Sequence, residues 1–585
     1  MRLLLRATAL ALVLTATSVP VFADDATDAV FRKIYETEWA WRSEHAAADE
    51  DSGKKDVAPR LPDVSKAAQD RKLAYWQNVL KQLDAVDTKA LSPREAENYQ
   101  VYRYQIETAI DGQKYKLYER PVSGDTSFWS DLTGMARGTF RTEDDYRNYI
   151  AQLNDIPRYF KDNTDNMRAG LKRGFTLPQI SLQGRDLTIT SVIDAPTIED
   201  NIYYLPFKTL PANMSAAKQA ELRAAATAAI RDKVIPAHRD LLKFMRHDYM
   251  PKATKSLAAY DLPDGRNFYQ AQVREYATVD MTPEQIHQIG LDEVASIRKE
   301  MQAIMTEVGF TGDLKAFLDF LRTDPQFYVT KPQDLLDRAA WTAKLFDGKA
   351  DQYFGRLPRS RFGIYPVAPE LAPFYTGGRG GPGGYWVNTW NLPARPLYSI
   401  PALTLHESAP GHAFQMPLAM ENKGLPAFRQ HTYISAYGEG WALYAERLGD
   451  EMGIYQTPYE RFGMLSYQMW RAARLVVDTG IHAKGWTREQ AQNFMLDNTA
   501  LSKHEVTTEV DRYIAWPGQA LSYYLGEMVI WKVRRKAEAA LGEKFDIRAF
   551  HDTVLELGSV PLPVLEARVD RFIAEGGKSP YAEEE

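Results

Sequence analysis

The sequence predicts a mostly α-helical protein, one large body with two lobes and a small β element, and three observations carry that expectation. Helix-start signatures recur along the chain: Ser92-Pro93-Arg94-Glu95, Thr142 followed by Asp145, and Thr282-Pro283-Glu284-Gln285 each set a hydroxyl three residues before an acid or amide. That spacing lets the hydroxyl cap the first free backbone N–H groups while the second side chain reaches back. Apolar residues then recur at helical spacing, as over residues 284–301 and 216–233. Strand-like runs, by contrast, are few and short, at 178–187, 362–367 and 385–390.

Taken from the start, residues 1–23 read as a secretory signal. Arg2 and Arg6 precede a short apolar run that ends in small residues at Val21 and Ala23, so cleavage is expected after Ala23. The run is broken by threonines and Pro20 and is too short for a membrane span, and no other segment approaches spanning length. The sequence contains no cysteine, hence neither disulfides nor a thiol to carry lipid. A periplasmic or secreted protein is expected. The rest, 24–585, reads as a single helical domain with lobes at 24–370 and 371–585, since no low-complexity linker divides it. Lysine plus arginine numbers 71 against 77 acids, interspersed along the chain, which excludes the concentrated basic patch of a nucleic-acid surface.

Helix gives way at 374–390, FYTGGRGGPGGYWVNTW. Six glycines and a proline between Gly377 and Gly384 suit a loop that approaches something closely, such as a substrate-covering loop. Tyr385, Val387 and Thr389 then alternate with Trp386, Asn388 and Trp390 in the manner of a strand.

After a proline-punctuated turn comes HESAPGH, residues 406–412. Zinc peptidases commonly set two histidines four apart on one helix, with a glutamate as general base. Here the second histidine is two residues late. At about 100° per residue, His406 and His412 stand about 120° apart on a regular helix. Pro410 and Gly411 can break or bulge the helix and so return His412 to the side of His406. The third ligand is expected from the following helix, where Glu439 lies 27 residues past His412 between two glycines. Glu446, seven residues further on the same face, is expected to orient a metal histidine. Two histidines and a carboxylate on Zn²⁺ leave a position open for water, and Glu407 would take the proton.

A hydrolase of this kind also needs a donor for the oxyanion that develops as water attacks. Residues 504–532 hold the candidates His504, Arg512, Tyr513, Gln519, Tyr523 and Tyr524, and only one of the two adjacent tyrosines can face a given cleft. Arginines able to recognise a substrate, such as Arg395 and Arg512, are not distinguished by spacing.

Three blocks, HESAPGH, YGEGWALYAERL and DRYIAWPGQALSYYLGEM, resemble the bacterial family catalogued as domain of unknown function 885. The resemblance extends distantly to gluzincin zinc peptidases such as thimet oligopeptidase and angiotensin-converting enzyme. It implies a two-lobed helical gluzincin-like body with a deep central cleft and a small β element beside the metal helix. It also implies one zinc per chain held by His406, His412 and Glu439, with Glu407 as general base and Tyr523 or Tyr524 as transition-state donor. An edge strand at Tyr385, Val387 and Asn388, aided by Gln519, would bind the substrate backbone, and His504 and Arg512 would assist catalysis. The activity expected is that of a zinc-dependent peptidase on small peptides. The alternatives are a metal-dependent amidase and an inactive peptide-binding protein; an intact Glu407 argues against the last.

Overall fold

The structure, a computed structural model, describes residues 25–45, 58–123, 126–369 and 372–581. The expected signal segment and its cleavage site after Ala23 lie outside them. The chain is mostly helical, and the capping signatures work as the sequence predicts. Ser92 caps Pro93–Lys114 by accepting from the N–H of Glu95. Thr142 with Asp145, and Thr282 with Gln285, form reciprocal boxes at the heads of Glu143–Arg173 and of α1, Pro283–Glu307. None of the helices among the described residues is long and apolar enough to cross a membrane.

Among the described residues strand is confined to one small sheet of β1 (Gly363–Pro366), β2 (Gly378–Gly381) and β3 (Gly384–Val387), in the order β1-β3-β2. β1 runs parallel to β3 and β2 antiparallel, with Tyr365 opposite Trp386 and Gly380 opposite Tyr385. Two sequence expectations change here. Residues 178–187 are no strand: Gln179–Leu182 is a 3-10 turn, with the Ser181 N–H bonded to the Pro178 carbonyl. Part of the glycine-rich stretch is a strand rather than a loop, and it takes the edge position expected of 385–390.

Among the described residues two hydrophobic cores form. One joins Trp129, Tyr149, Ile156, Tyr203, Phe207, Leu241 and their neighbours within 61–253, with Ala515 reaching in. The other gathers the remaining helices around Trp441, Tyr437, Met469 and Leu475. The helices that carry the site run through this second core: α2 (Ile400–Glu407), α3 (His412–Glu421), α4 (Ser435–Glu451), α5 (Pro458–Lys484), α6 (Lys503–Ala515) and α7 (Ser522–Leu541). α5 packs along α1, and α4 packs along α7. The second pairing is close because glycine meets glycine: a Cβ on Gly440 would collide with the backbone of Gly526, and one on Gly526 with the carbonyl of Ala436.

Candidate metal centre

The two late residues in HESAPGH are absorbed by a break between helices. α2 ends at Glu407, residues 408–411 turn through a cis Ala409–Pro410 bond, and α3 starts at His412. Hydrogen bonds hold the turn: Ser408 N–H and Oγ to the Thr404 carbonyl, Gly411 N–H to Leu405 (3.0 Å), and Trp441 Nε1 to the Pro410 carbonyl (2.8 Å). Gly411 folds so tightly onto His406 that a side chain there would strike the His406 carbonyl.

The break brings the two histidines together at right angles, ring centroids 5.0 Å apart. Nε2 of each lies 3.3 Å from the same atom, Oε2 of Glu439. One ligand atom from each of the three residues falls within 4.8 Å of the other two. Both histidines are buried, and Glu439 Oε2 is enclosed without a hydrogen-bond donor. A buried carboxylate oxygen that accepts nothing is costly unless a cation meets it. The residues therefore fit a metal, and a two-histidine, one-carboxylate donor set suits Zn²⁺.

Glu446, fully buried one turn pair along α4, accepts from Nδ1 of His406 at 2.7 Å. That bond assigns the proton to Nδ1 and turns Nε2 towards Glu439. Burial disfavours a charge on His406, yet Glu439 and Glu446 outweigh it and push the imidazole up to about 9 without a metal ion. Burial likewise opposes the Glu439 carboxylate, but His412 and His406 hold its pKa well below the usual range.

Glu407 accepts the Gly380 N–H of β2 on Oε2 at 2.6 Å. Gly380 must be glycine for this approach, since a Cβ there would overlap the Glu407 backbone. The Glu407 charge reaches both His406 and Tyr433.

The paired tyrosines separate as expected. Tyr523 faces the centre, its ring stacked at 6.4 Å on His406 and its hydroxyl met by Gln519 Nε2 at 3.4 Å. Tyr524 turns the other way and donates to Glu293 on α1 at 2.8 Å. Arg512 bonds to Glu509 (2.9 Å) and to Gln519 Oε1 (2.6 Å). Gln519 is thus a bridge from Arg512 to Tyr523 rather than a free substrate contact.

Four other candidates are placed elsewhere. His504 is exposed on α6 against Trp390, with no contact to the cluster. β3 is the middle strand, so Tyr385 and Val387 are fully buried and present no free edge. Asn388 spends its amide on the carbonyls of Ala372, Tyr375 and Thr376, and its Oδ1 on the Trp390 N–H. The edges belong to β1 and β2, and β2 is occupied at Gly380 by Glu407.

Three residues escaped the sequence reading. Tyr433, six residues before Glu439, stands 6.2 Å from His412, its hydroxyl enclosed beside the Glu439 carboxylate while 39% of its surface stays open. Burial, then the Glu439 charge, raise its pKa well above that of an ordinary phenol. Arg471 and Arg474 of α5 also border the centre. Their signal was present as two charges in the apolar run QMWRAARLVV.

The bacterial family described as protein of unknown function (DUF885) matches residues 48–569. No curated protein matches the chain. A solved structure from Colwellia psychrerythraea, of a protein described as a "putative lipoprotein", is similar over 95% of this chain and 100% of its own, with 25% identity and a TM-score of 0.85. A second, of a lipoprotein of unknown function from Shewanella oneidensis likewise so described, covers 92% and 98% at 19% identity and a TM-score of 0.67, a likeness of fold.

Proposed function

The chain belongs to the bacterial DUF885 family, and from that premise we propose that it is a zinc-dependent peptidase acting on small peptides. The observation that carries the reading is the convergence of His406 Nε2, His412 Nε2 and the unpartnered Glu439 Oε2 inside the protein. These three residues would hold one zinc, and Glu446 would keep His406 in the ligating tautomer. When bound, zinc supplies a Lewis acid that acidifies water and polarises an acyl carbonyl.

The protein's own groups perform the rest. Glu407 takes a proton on its carboxylate and passes it to the departing amine; Gly380 holds one oxygen still while the other carries the proton. Tyr523 stacks on His406 and Tyr433 lies beside His412, each with a hydroxyl able to donate to the oxygen on which charge develops. In this reading the two cores are lobes of a gluzincin-like body that border a peptide-sized cleft. Export across the inner membrane is supported by the lipoprotein descriptions of the similar structures.

The test is metal content by plasma mass spectrometry beside a peptide-library cleavage assay. We expect about one zinc per chain in the wild type and in Glu407→Gln, and none in His406→Ala or Glu439→Ala. Cleavage by the wild type should fall at least about 100-fold in Glu407→Gln. A protein that takes up no zinc ends the metal reading. Zinc without cleavage of any peptide redirects it to an amidase or a binding protein.

A further inference from the structure

α5 carries two arginines deep in the second core, Arg471 and Arg474, 3% and 2% exposed. Buried guanidinium groups are normally matched by carboxylates and give every N–H a partner. Here the matching falls short. Arg474 donates to Glu509 from Nη2 (2.8 Å) and to the Tyr513 hydroxyl from Nε (2.7 Å). Arg512 binds the same Glu509 oxygen at 2.9 Å, so one carboxylate serves two cations. Arg471 reaches only Glu446, whose Oε1 at 3.4 Å already accepts from His406 and whose Oε2 takes no hydrogen bond. Nε and Nη1 of Arg471 and Nη1 of Arg474 are left buried with no acceptor.

Both guanidiniums border the ring that lines the metal centre. Arg474 stands 4.2 Å and Arg471 5.9 Å from the centroid of Tyr523, with Trp470 packed at 4.4 and 4.2 Å from the two. The surplus of positive charge and of donors therefore gathers beside Tyr523, the ring that stacks on His406.

We infer that Arg471 and Arg474 form an anion subsite that receives the free carboxylate of a short peptide. The inference rests on the peptidase reading of the same centre. Planar guanidiniums suit a carboxylate better than a point charge does. At about 3.4 Å per extended residue, a carboxylate held there lies no more than about three residues from a carbonyl at the histidine pair. The substrate class is then short peptides with a free carboxyl end.

The experiment is calorimetric titration of the zinc-loaded full chain with N-acetyl-alanyl-phenylalanine and with its carboxamide, in low chloride. We expect the acid to bind about 10- to 100-fold more tightly than the amide. In Arg471→Gln and Arg474→Gln the acid-to-amide ratio should fall towards one with one zinc per chain retained. Arg474→Lys, which keeps the charge without the fork, should recover part of the ratio and serves if a glutamine variant does not fold. Equal binding of acid and amide by the wild type overturns the subsite, as does a ratio unmoved by both arginine variants. Binding of both ligands that chloride alone displaces equally puts a halide there instead and also overturns it. Peptide cleavage without preference for the acid removes the subsite and leaves the peptidase; acid-selective binding without cleavage does the reverse.

Discussion

His238 and His406 are both buried in a hydrophobic core, one in each of the two, and the cores treat them in opposite ways. In the 61–253 core His238 has aromatic neighbours, Phe160 and Tyr203, and a single partner, the Val234 carbonyl at 2.9 Å. Burial pushes its pKa down to about 4. His406 is as deeply enclosed, yet Glu439 and Glu446 raise it to about 9. Burial alone makes a histidine neutral and inert. Burial with two carboxylates makes it a group that holds a cation, whether a proton or a metal ion, and only the second core assembles that arrangement.

The comparison is sharpened most by the tyrosines beside it. Tyr523→Phe should lower kcat about 10²- to 10³-fold with zinc retained, the loss typical of one oxyanion donor. Tyr524→Phe should stay within a few-fold in turnover and cost about 1 kcal/mol of stability through the bond to Glu293. Steady-state kinetics and denaturant melts separate the two; equal losses in turnover would break the assignment of Tyr523 to the centre.

Glu446→Gln probes the carboxylate that has no counterpart around His238. Zinc affinity, read by competition with a chelator, should weaken about 10- to 100-fold without loss of stoichiometry. An unchanged affinity would make Glu446 a structural acid.

The smallest effect is in the pH dependence of folding. His238 has a depressed pKa, so its contribution is present above pH 6.5 and is lost as pH falls through 4. His238→Gln should therefore recover about 2 kcal/mol at pH 5 in urea melts and nothing at pH 8. His406 has the opposite sign. In the metal-free protein its contribution is present below pH 6.5 and is lost as pH rises through about 9, so the apo protein should weaken across that interval and zinc should cancel the loss. Melts of His406→Gln with the same alkaline slope as wild type would refute the pairing.

Much of the fold was legible because it is written locally. Ser92, Thr142 and Thr282 each begin a helix through bonds spanning three residues, and no distant contact is needed to specify them. The run at 178–187 misled because apolar alternation is shared by a strand and by a 3-10 turn with one buried side, and no partner strand lies alongside it. Among site residues, Glu439 and Glu446 were legible since seven residues make two helical turns, and both do meet His406. Tyr433, Arg471 and Arg474 were not, because their importance lies in what packs against them across helices.

The sequence by itself determined the helical class, the capped ends of its helices, and the presence in one stretch of two histidines and three glutamates with chemistry to offer. It left open whether His406 and His412 could meet, since a regular helix would set them about 120° apart. Only the tertiary structure decided that: the turn at 408–411, held by Trp441, points both imidazoles at one oxygen of Glu439. It also decided which tyrosine faces inward, which strand forms the edge, and where the surplus arginines lie. The physical reason is that caps and periodicity are set by neighbours within a turn or two, whereas convergence, burial and charge balance depend on helices brought together from distant parts of the chain.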